Sequence, residues 1–360
     1  MIDTCIDLFS VCSLEREGGS ELWLSSKADH GCGLGIVREA FQYLKERNSV
    51  ALSIRLFGEE NDLWRALSFI KERMSDCSCP PLMLLQAYSE IQIQIHAVSG
   101  FDSELIEFNG EIVGRKMEDA NAEYFMLNVM PENKDATEFE QAENLFQRAH
   151  NILDSLGCGF SDTIRTWLYA QKILDWYDDL NKARNAFFEE HDIYNQLVPA
   201  STGIGAMNPY DKAMATQVLA LLSKNENILV QKAASPLQCP ALDYKSSFSR
   251  GIKLDAPDHR RLYVSGTASI NQTGETVYIG DTAAQIKKTV QVLEAILKEA
   301  GMDWSDVVSS LIYFRRKEEL GMFDEFCREY GLDLPHVKLH ADICRDNLLF
   351  EVELDAMKRL

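Results

Sequence analysis

The chain is poor in positive charge. Lysines and arginines number 36 against 56 aspartates and glutamates, a formal net charge of −20 over 360 residues. A nonspecific nucleic-acid binder needs a basic footprint, and an anionic membrane attracts basic segments, so neither partner is expected. No run approaches the ~18 apolar residues of a membrane-spanning helix. The opening MIDTCIDLFS carries two aspartates and no basic stretch ahead of an apolar core, so no secretory signal is expected. Walker A, HExxH and GxSxG patterns are missing. Gly31-Cys32-Gly33-Leu34-Gly35 follows no apolar strand and has the wrong spacing for a dinucleotide fingerprint, which favours a loop. The nine cysteines are odd in number and scattered, and Cys77-Ser-Cys79 lacks the two-residue gap of a zinc or redox motif. Reduced thiols in a cytoplasmic protein are expected. His336 and His340 would lie about 13 Å apart on one face of a strand, too far to share a metal.

What is present is patterning. A chain of 360 residues, 46% hydrophobic, has length for about two domains with real cores. The last third reads most clearly. Arg261 to Ile270 (RLYVSGTASI) is a strand pattern, Asn271 to Gly274 a turn, and Glu275 to Ile279 the returning strand. Asp281 caps a helix whose Ile286, Val290, Leu293, Ile296 and Leu297 share one face, with Gly301 as its stop. A strand over Asp306 to Phe314, a helix over Glu318 to Tyr330, and strands from Pro335 to Ile343 and from Leu348 to Met357 complete the order β-β-α-β-α-β-β. That is α+β: one mixed sheet under two helices.

The middle of the chain repeats this order. A helix over Glu138 to Leu156 ends at Gly157, Ser161 to Tyr169 matches Ser305 to Tyr313 at Ser, Asp and Tyr, and a second helix runs from Ile173 to Glu190. Two tandem units are expected, 1–225 and 226–360, with the linker inside Lys224 to Pro240. The first unit would have an irregular leader of roughly 45 residues. Its strands would be Val50 to Phe57, Leu82 to Tyr88, Ile91 to Val98 and Glu123 to Val129.

Two segments hold residues that are costly to bury. Arg165 heads RTWLY, a strand otherwise suited to burial, and Trp176, Tyr177, Asn181, Arg184, Phe187 and Phe188 follow at helical spacing. Either the arginine snorkels over a packed aromatic face, or it clamps a carboxylate in a pocket walled by rings. The second segment is CRDNLLFEVE, from Cys344 to Glu353. Alternation puts Glu351 and Glu353 on one face and Phe350 and Val352 on the other. Facing solvent, the glutamates are ordinary surface. Facing a cleft with apolar walls, a carboxyl keeps its proton and acts as a general acid, while Arg345 can hold a carboxylate bidentately.

RDNLLFEVELDAM, from Arg345 to Met357, together with Ser265-Gly266-Thr267-Ala268, resembles the RidA/YjgF family, which has this element order. Four blocks in family order narrow the resemblance: RTWLYAQKILDWYDDLNKARNAFF, PASTGI (Pro199 to Ile204), LYVSGTASI and CRDNLLFE. With them the chain, from Glu138 to Leu360, is similar to the chorismatases, a tandem elaboration of that chorismate mutase-like fold.

The resemblance implies an enzyme that takes chorismate, uses no metal or organic cofactor and releases pyruvate from the enolpyruvyl ether. Glu351 matches the catalytic glutamate, and protonating the methylene carbon of an enol ether requires a carboxyl kept neutral by burial. Two substrate carboxylates call for two clamps: Arg345 matches the family's arginine, and Arg165 is taken as the second. Tyr169, Arg184, Thr202, Gly266 and Ala268 are carried over as further substrate-binding positions. Cys344, a second catalytic candidate, and Ala268 lie where the family varies with product. A cysteine there resembles the subgroup that makes 3-hydroxybenzoate in place of a dihydroxycyclohexadiene carboxylate; some members also form 4-hydroxybenzoate. The alternatives are the parent enamine or imine deamination, which needs Arg345 but not RTWLY, and a non-catalytic ligand-binding module. Because single-unit RidA/YjgF proteins are trimers with sites between subunits, a monomer and a homo-oligomer, a trimer included, both fit.

Overall fold

The computed structural model describes residues 8–27, 33–73, 80–86, 90–244 and 246–360. One element order recurs in it three times. The first unit holds β1 (Phe9–Arg16), β2 (Gly19–Ser26), α1 (Leu34–Glu46), β3 (Val50–Gly58), α2 (Glu60–Arg73), β4 (Leu82–Gln86) and β5 (Gln92–Ser99). The second holds β6 (Asp102–Phe108), β7 (Glu111–Glu118), β8 (Ala122–Val129), α3 (Glu138–Ser155), β9 (Thr163–Ala170), α4 (Ile173–Glu190), β10 (Ala200–Gly205) and β11 (Met214–Ser223). The third holds β12 (Leu229–Ala233), β13 (Gly251–Asp255), β14 (His259–Ala268), α5 (Thr282–Glu299), β15 (Val307–Phe314), α6 (Met322–Tyr330), β16 (Val337–His340), β17 (Asp342–Ile343) and β18 (Phe350–Arg359).

The sheets run β1-β2-β5-β3-β4, β7-β8-β11-β9-β10 and β13-β14-β18-β15-β16, with β6 and β17 added at the edges of the second and β12 at the edge of the third. In each, the last pair is parallel and the others antiparallel. Each also breaks register at an equivalent place, beside Leu52, Ile164 and Val308. That shared bulge makes Gln92, Ala215 and Glu351 counterparts, opposite Phe57, Tyr169 and Tyr313.

Local chemistry explains the helix ends. Thr137 and Glu140 form a capping box at α3, and Asp281 accepts from the Ala284 backbone N–H at α5. Beyond the helices, Gly157 and Gly301 take positive φ, which a glycine reaches without a Cβ penalty. The helices bury one face against the outside of their own sheet. The inner sheet faces meet in a shared core that draws on all three units, including Phe57, Trp167, Tyr169, Tyr263 and Tyr313.

The α+β class and the tandem units stand, but region 1–225 holds two sheets where one unit was expected. The expected irregular leader contains β1, β2 and α1. From Glu21 to Ser26 every residue of β2 is buried, so the strand carries no apolar–polar alternation to read. The returning strand Glu275 to Ile279 does not form; a single bridge, Ile270 to Thr276, stands in its place. Both sides of β14 are already taken, by β13 and β18. The Lys224 to Pro240 join contains β12. His30 and Gly31-Cys32 of the glycine-rich stretch lie outside the described residues.

Candidate active site

Where the second and third units meet, β10 and β14 are stitched together. Ser201 N–H donates to Ser265 Oγ (2.8 Å), and Gly266 N–H to Thr202 Oγ1 (2.9 Å). Beside this seam lies a cavity walled by polar, charged and aromatic side chains. Glu351 enters it from β18, Cys344 and Arg345 from the loop before β18, Tyr177 and Arg184 from α4, and Tyr244 and Arg250 from the segment before β13.

Glu351 is 4% exposed. Burial, aided by the negative charge of Glu353, pushes its carboxyl up to about 8, against the pull of Arg165, Arg250 and Arg345. It is therefore protonated at neutral pH, as a general acid must be. Gly266 is required behind it: a Cβ there would collide with Glu351 Oε1. Gly266→Ala is expected to cost roughly 1–3 kcal/mol through overpacking, read as a lower urea midpoint, and Glu351→Ala in the same chain should recover part of that loss.

The loop that carries Cys344 and Arg345 is held from outside. Gln285 Nε2 donates to Asn347 O (2.9 Å), its Oε1 accepts from Leu349 N–H (2.8 Å), and Arg315 NH2 donates to Asp346 Oδ1 (3.0 Å). Arg345 donates to Gly274 O at 2.7 Å and lies over the Tyr244 ring. Arg250 donates twice to Cys239 O, at 3.0 and 2.9 Å, and packs against Tyr244 and Phe248. Burial, with Glu351 adjacent, pushes the Cys344 thiol up to about 12, so it is a neutral thiol, hydrogen-bonded with Tyr177.

Of the residues expected from sequence, the structure brings Glu351, Cys344, Arg345, Arg184, Gly266 and Ala268 into this one cavity. Arg165, Tyr169 and Thr202 stand behind its wall. Arg165 is fully buried and donates to Glu353 Oε2 (2.9 Å) and Thr202 Oγ1 (2.7 Å), which leaves it no access to a substrate carboxylate. Tyr169 belongs to the shared core. Arg250, which the sequence analysis does not single out, lines the cavity where Arg165 does not. The signal available was an arginine ending a polar stretch, SSFSR, directly before an apolar strand. Among the described residues no three His, Cys, Asp or Glu side chains cluster as a metal site, and the five described cysteines are free. No helix of the described residues is long and apolar enough to cross a membrane.

The three inter-unit seams are not chemically equal. At the counterparts of Glu351 stand Gln92 and Ala215, neither of which can donate a carboxyl proton. Chain segments 87–91 (AYSEI) and 206–213 (AMNPYDKA), which precede β5 and β11, contain no arginine to match Arg345.

Residues 240–357, the third unit, match the Endoribonuclease L-PSP family model. A RutC family protein of Pyrococcus abyssi is 28% identical over 136 residues, 37% of this chain and 97% of its own length. A 2-iminobutanoate/2-iminopropanoate deaminase of Mus musculus is 24% identical over 102 residues, 28% of this chain and 71% of its own. Among solved structures, a crystal structure of a chorismatase superimposes over 98% of this chain and 100% of its own, with a TM-score of 0.65 and 18% identity. The chain thus has a chorismatase-like fold, an elaboration of the RidA/YjgF unit.

Proposed function

We propose that the cavity binds chorismate and that Glu351 protonates the methylene carbon of its enolpyruvyl ether, with loss of pyruvate. What supports this reading is a buried carboxyl facing a cavity that two arginines, Arg250 and Arg345, enter. Protonation of the methylene generates an oxocarbenium ion. Water captures it to give pyruvate and a dihydroxycyclohexadiene carboxylate; or the neighbouring ring hydroxyl, losing its proton, bonds to the carbon from which pyruvate departs, and cleavage of that oxygen's original C–O bond with loss of a ring proton leaves a hydroxybenzoate. Cys344 favours the second course, with 3-hydroxybenzoate as the product and 4-hydroxybenzoate as a lesser one. The fold shared with a chorismatase supports the substrate. Incubation with chorismate and chromatography of the products is the test; unchanged chorismate sinks the reading.

Arg345→Ala is expected to raise KM or abolish turnover, since one carboxylate is then left unpaired in a desolvated pocket. Lysine should rescue poorly, because it offers a point charge in place of a planar fork. Equal kcat/KM for the lysine variant and the parent would reduce Arg345 to a source of positive potential.

As a neutral thiol, Cys344 acts by occupying space beside the ring and excluding water, or by passing a proton during aromatisation. Cys344→Ala should shift product from 3-hydroxybenzoate toward the dihydroxycyclohexadiene carboxylate while pyruvate release continues. An unchanged product ratio at comparable turnover would remove it from the mechanism.

A second reading, imine or enamine deamination, is favoured by the likeness to the 2-iminobutanoate/2-iminopropanoate deaminase of Mus musculus; it would use Arg345. It predicts ammonia from 2-iminopropanoate and no pyruvate from chorismate.

A further inference from the structure

Glu351, Glu353 and Asp355 follow one another on the same face of β18. Acids at these positions are peculiar to the third unit: the counterparts of Glu353 in the shared register are Gln94 and Gln217. Glu353 is buried, with Arg165 NH2 at 2.9 Å from one oxygen and Arg55 NH1 at 3.7 Å from the other. The same Arg165 nitrogen donates to Thr202 Oγ1, which accepts from Gly266 N–H, and Gly266 lies directly against the Glu351 carboxyl. Arg165 therefore lies behind the acid, separated from it by one hydroxyl and one backbone amide, and its charge is committed to Glu353.

We propose that Glu353 and Arg165 are a positioning pair for the acid: Glu353 holds the guanidinium off Glu351, so that the acid meets a neutralised pair from behind and not a bare cation. This rests on the reading of Glu351 as a general acid. The other charged and titratable groups around Glu351 are Arg345 and Cys344 from the loop before β18, Tyr244 and Arg250 from the segment before β13, Tyr313 beside it on β15, and Tyr177 and Arg184 from α4. All of them stay in place when the pair is altered.

Glu353→Gln keeps the shape and an acceptor for Arg165 but removes the charge. The midpoint at which Glu351 loses its proton should then fall by at least one pH unit from about 8, a tenfold loss of proton affinity. Arg165→Met removes the nearer cation, leaves Glu353 to Arg55 alone, and should move the midpoint upward. The readout is the infrared carbonyl band of the protonated carboxyl in the full-length protein, identified by its loss in Glu351→Gln and followed against pH without substrate. In kcat/KM on chorismate, the high-pH limb should move by the same amounts. A folded Glu353→Gln protein with an unmoved midpoint overturns the pair, and so do shifts of the same sign in both variants. If one variant does not fold, the sign of the shift in the other decides. Because the band needs no turnover, a protein inactive on chorismate whose midpoints still move apart refutes the function and leaves the pair standing.

Discussion

Glu351→Gln is expected to leave a folded protein whose release of pyruvate from chorismate falls at least about 10²-fold, and up to about 10⁴-fold. The amide is isosteric and keeps the packing against Gly266, but it has no proton of useful acidity to give. KM should move little, since the carboxylate contacts belong to the arginines. The parent enzyme should lose kcat/KM above about pH 8, where burial no longer keeps Glu351 protonated. A variant that retains more than about a tenth of the parent rate, a loss under roughly 1.4 kcal/mol, would mean that another group is the acid.

The second large effect is on stability. Glu21 on β2 is fully buried and accepts from Arg16 NH1 (2.5 Å) and Arg261 NH1 (2.9 Å), with His96 Nε2 2.9 Å away. Arg16 also pairs with Asp119 and Asp258, so this one network ties the first unit to the second and the third. Burial opposes its charge, yet Arg261 and Arg16 hold Glu21 well below the usual carboxylate range. Its contribution is therefore present above that range and is lost as the pH falls through its folded value. Glu21→Ala strands Arg261 inside the shared core and should cost roughly 3–5 kcal/mol, measured by urea unfolding at neutral pH. A loss under about 1 kcal/mol would mean that the network relaxes or admits water.

These two glutamates mark what the sequence discloses and what it hides. Glu351 is legible because strand alternation, a preceding arginine and a family pattern coincide over fourteen consecutive residues, Cys344 to Met357. The Ser161 and Ser305 repeat is legible because matching Ser, Asp and Tyr survive, and the structure puts Tyr169 and Tyr313 at equivalent register positions on strands that share a bulge. The first unit lacks those landmarks. Its third strand, VALSIRLFG, shares only an apolar pattern with the other two, and β2 is buried on both faces. Its counterpart to the Gly157 and Gly301 stops is Asn48 at positive φ, a weaker signal than glycine. Arg165 was misplaced for a related reason. A strand pattern tells that it faces inward, but whether inward means a substrate or another sheet depends on a third sheet that closes the core. Arg250 was missed because a loop residue has no periodicity to reveal its direction.

Of the three seams between units, we propose that the one with Glu351 converts chorismate. The most direct test is to incubate the full-length protein with chorismate at pH 7 and quantify pyruvate and aromatic products together. The expected result is pyruvate equal to the sum of the hydroxybenzoates, with 3-hydroxybenzoate the larger, all lost in Glu351→Gln. Chorismate recovered intact from folded protein that instead releases ammonia from 2-iminopropanoate would contradict the account.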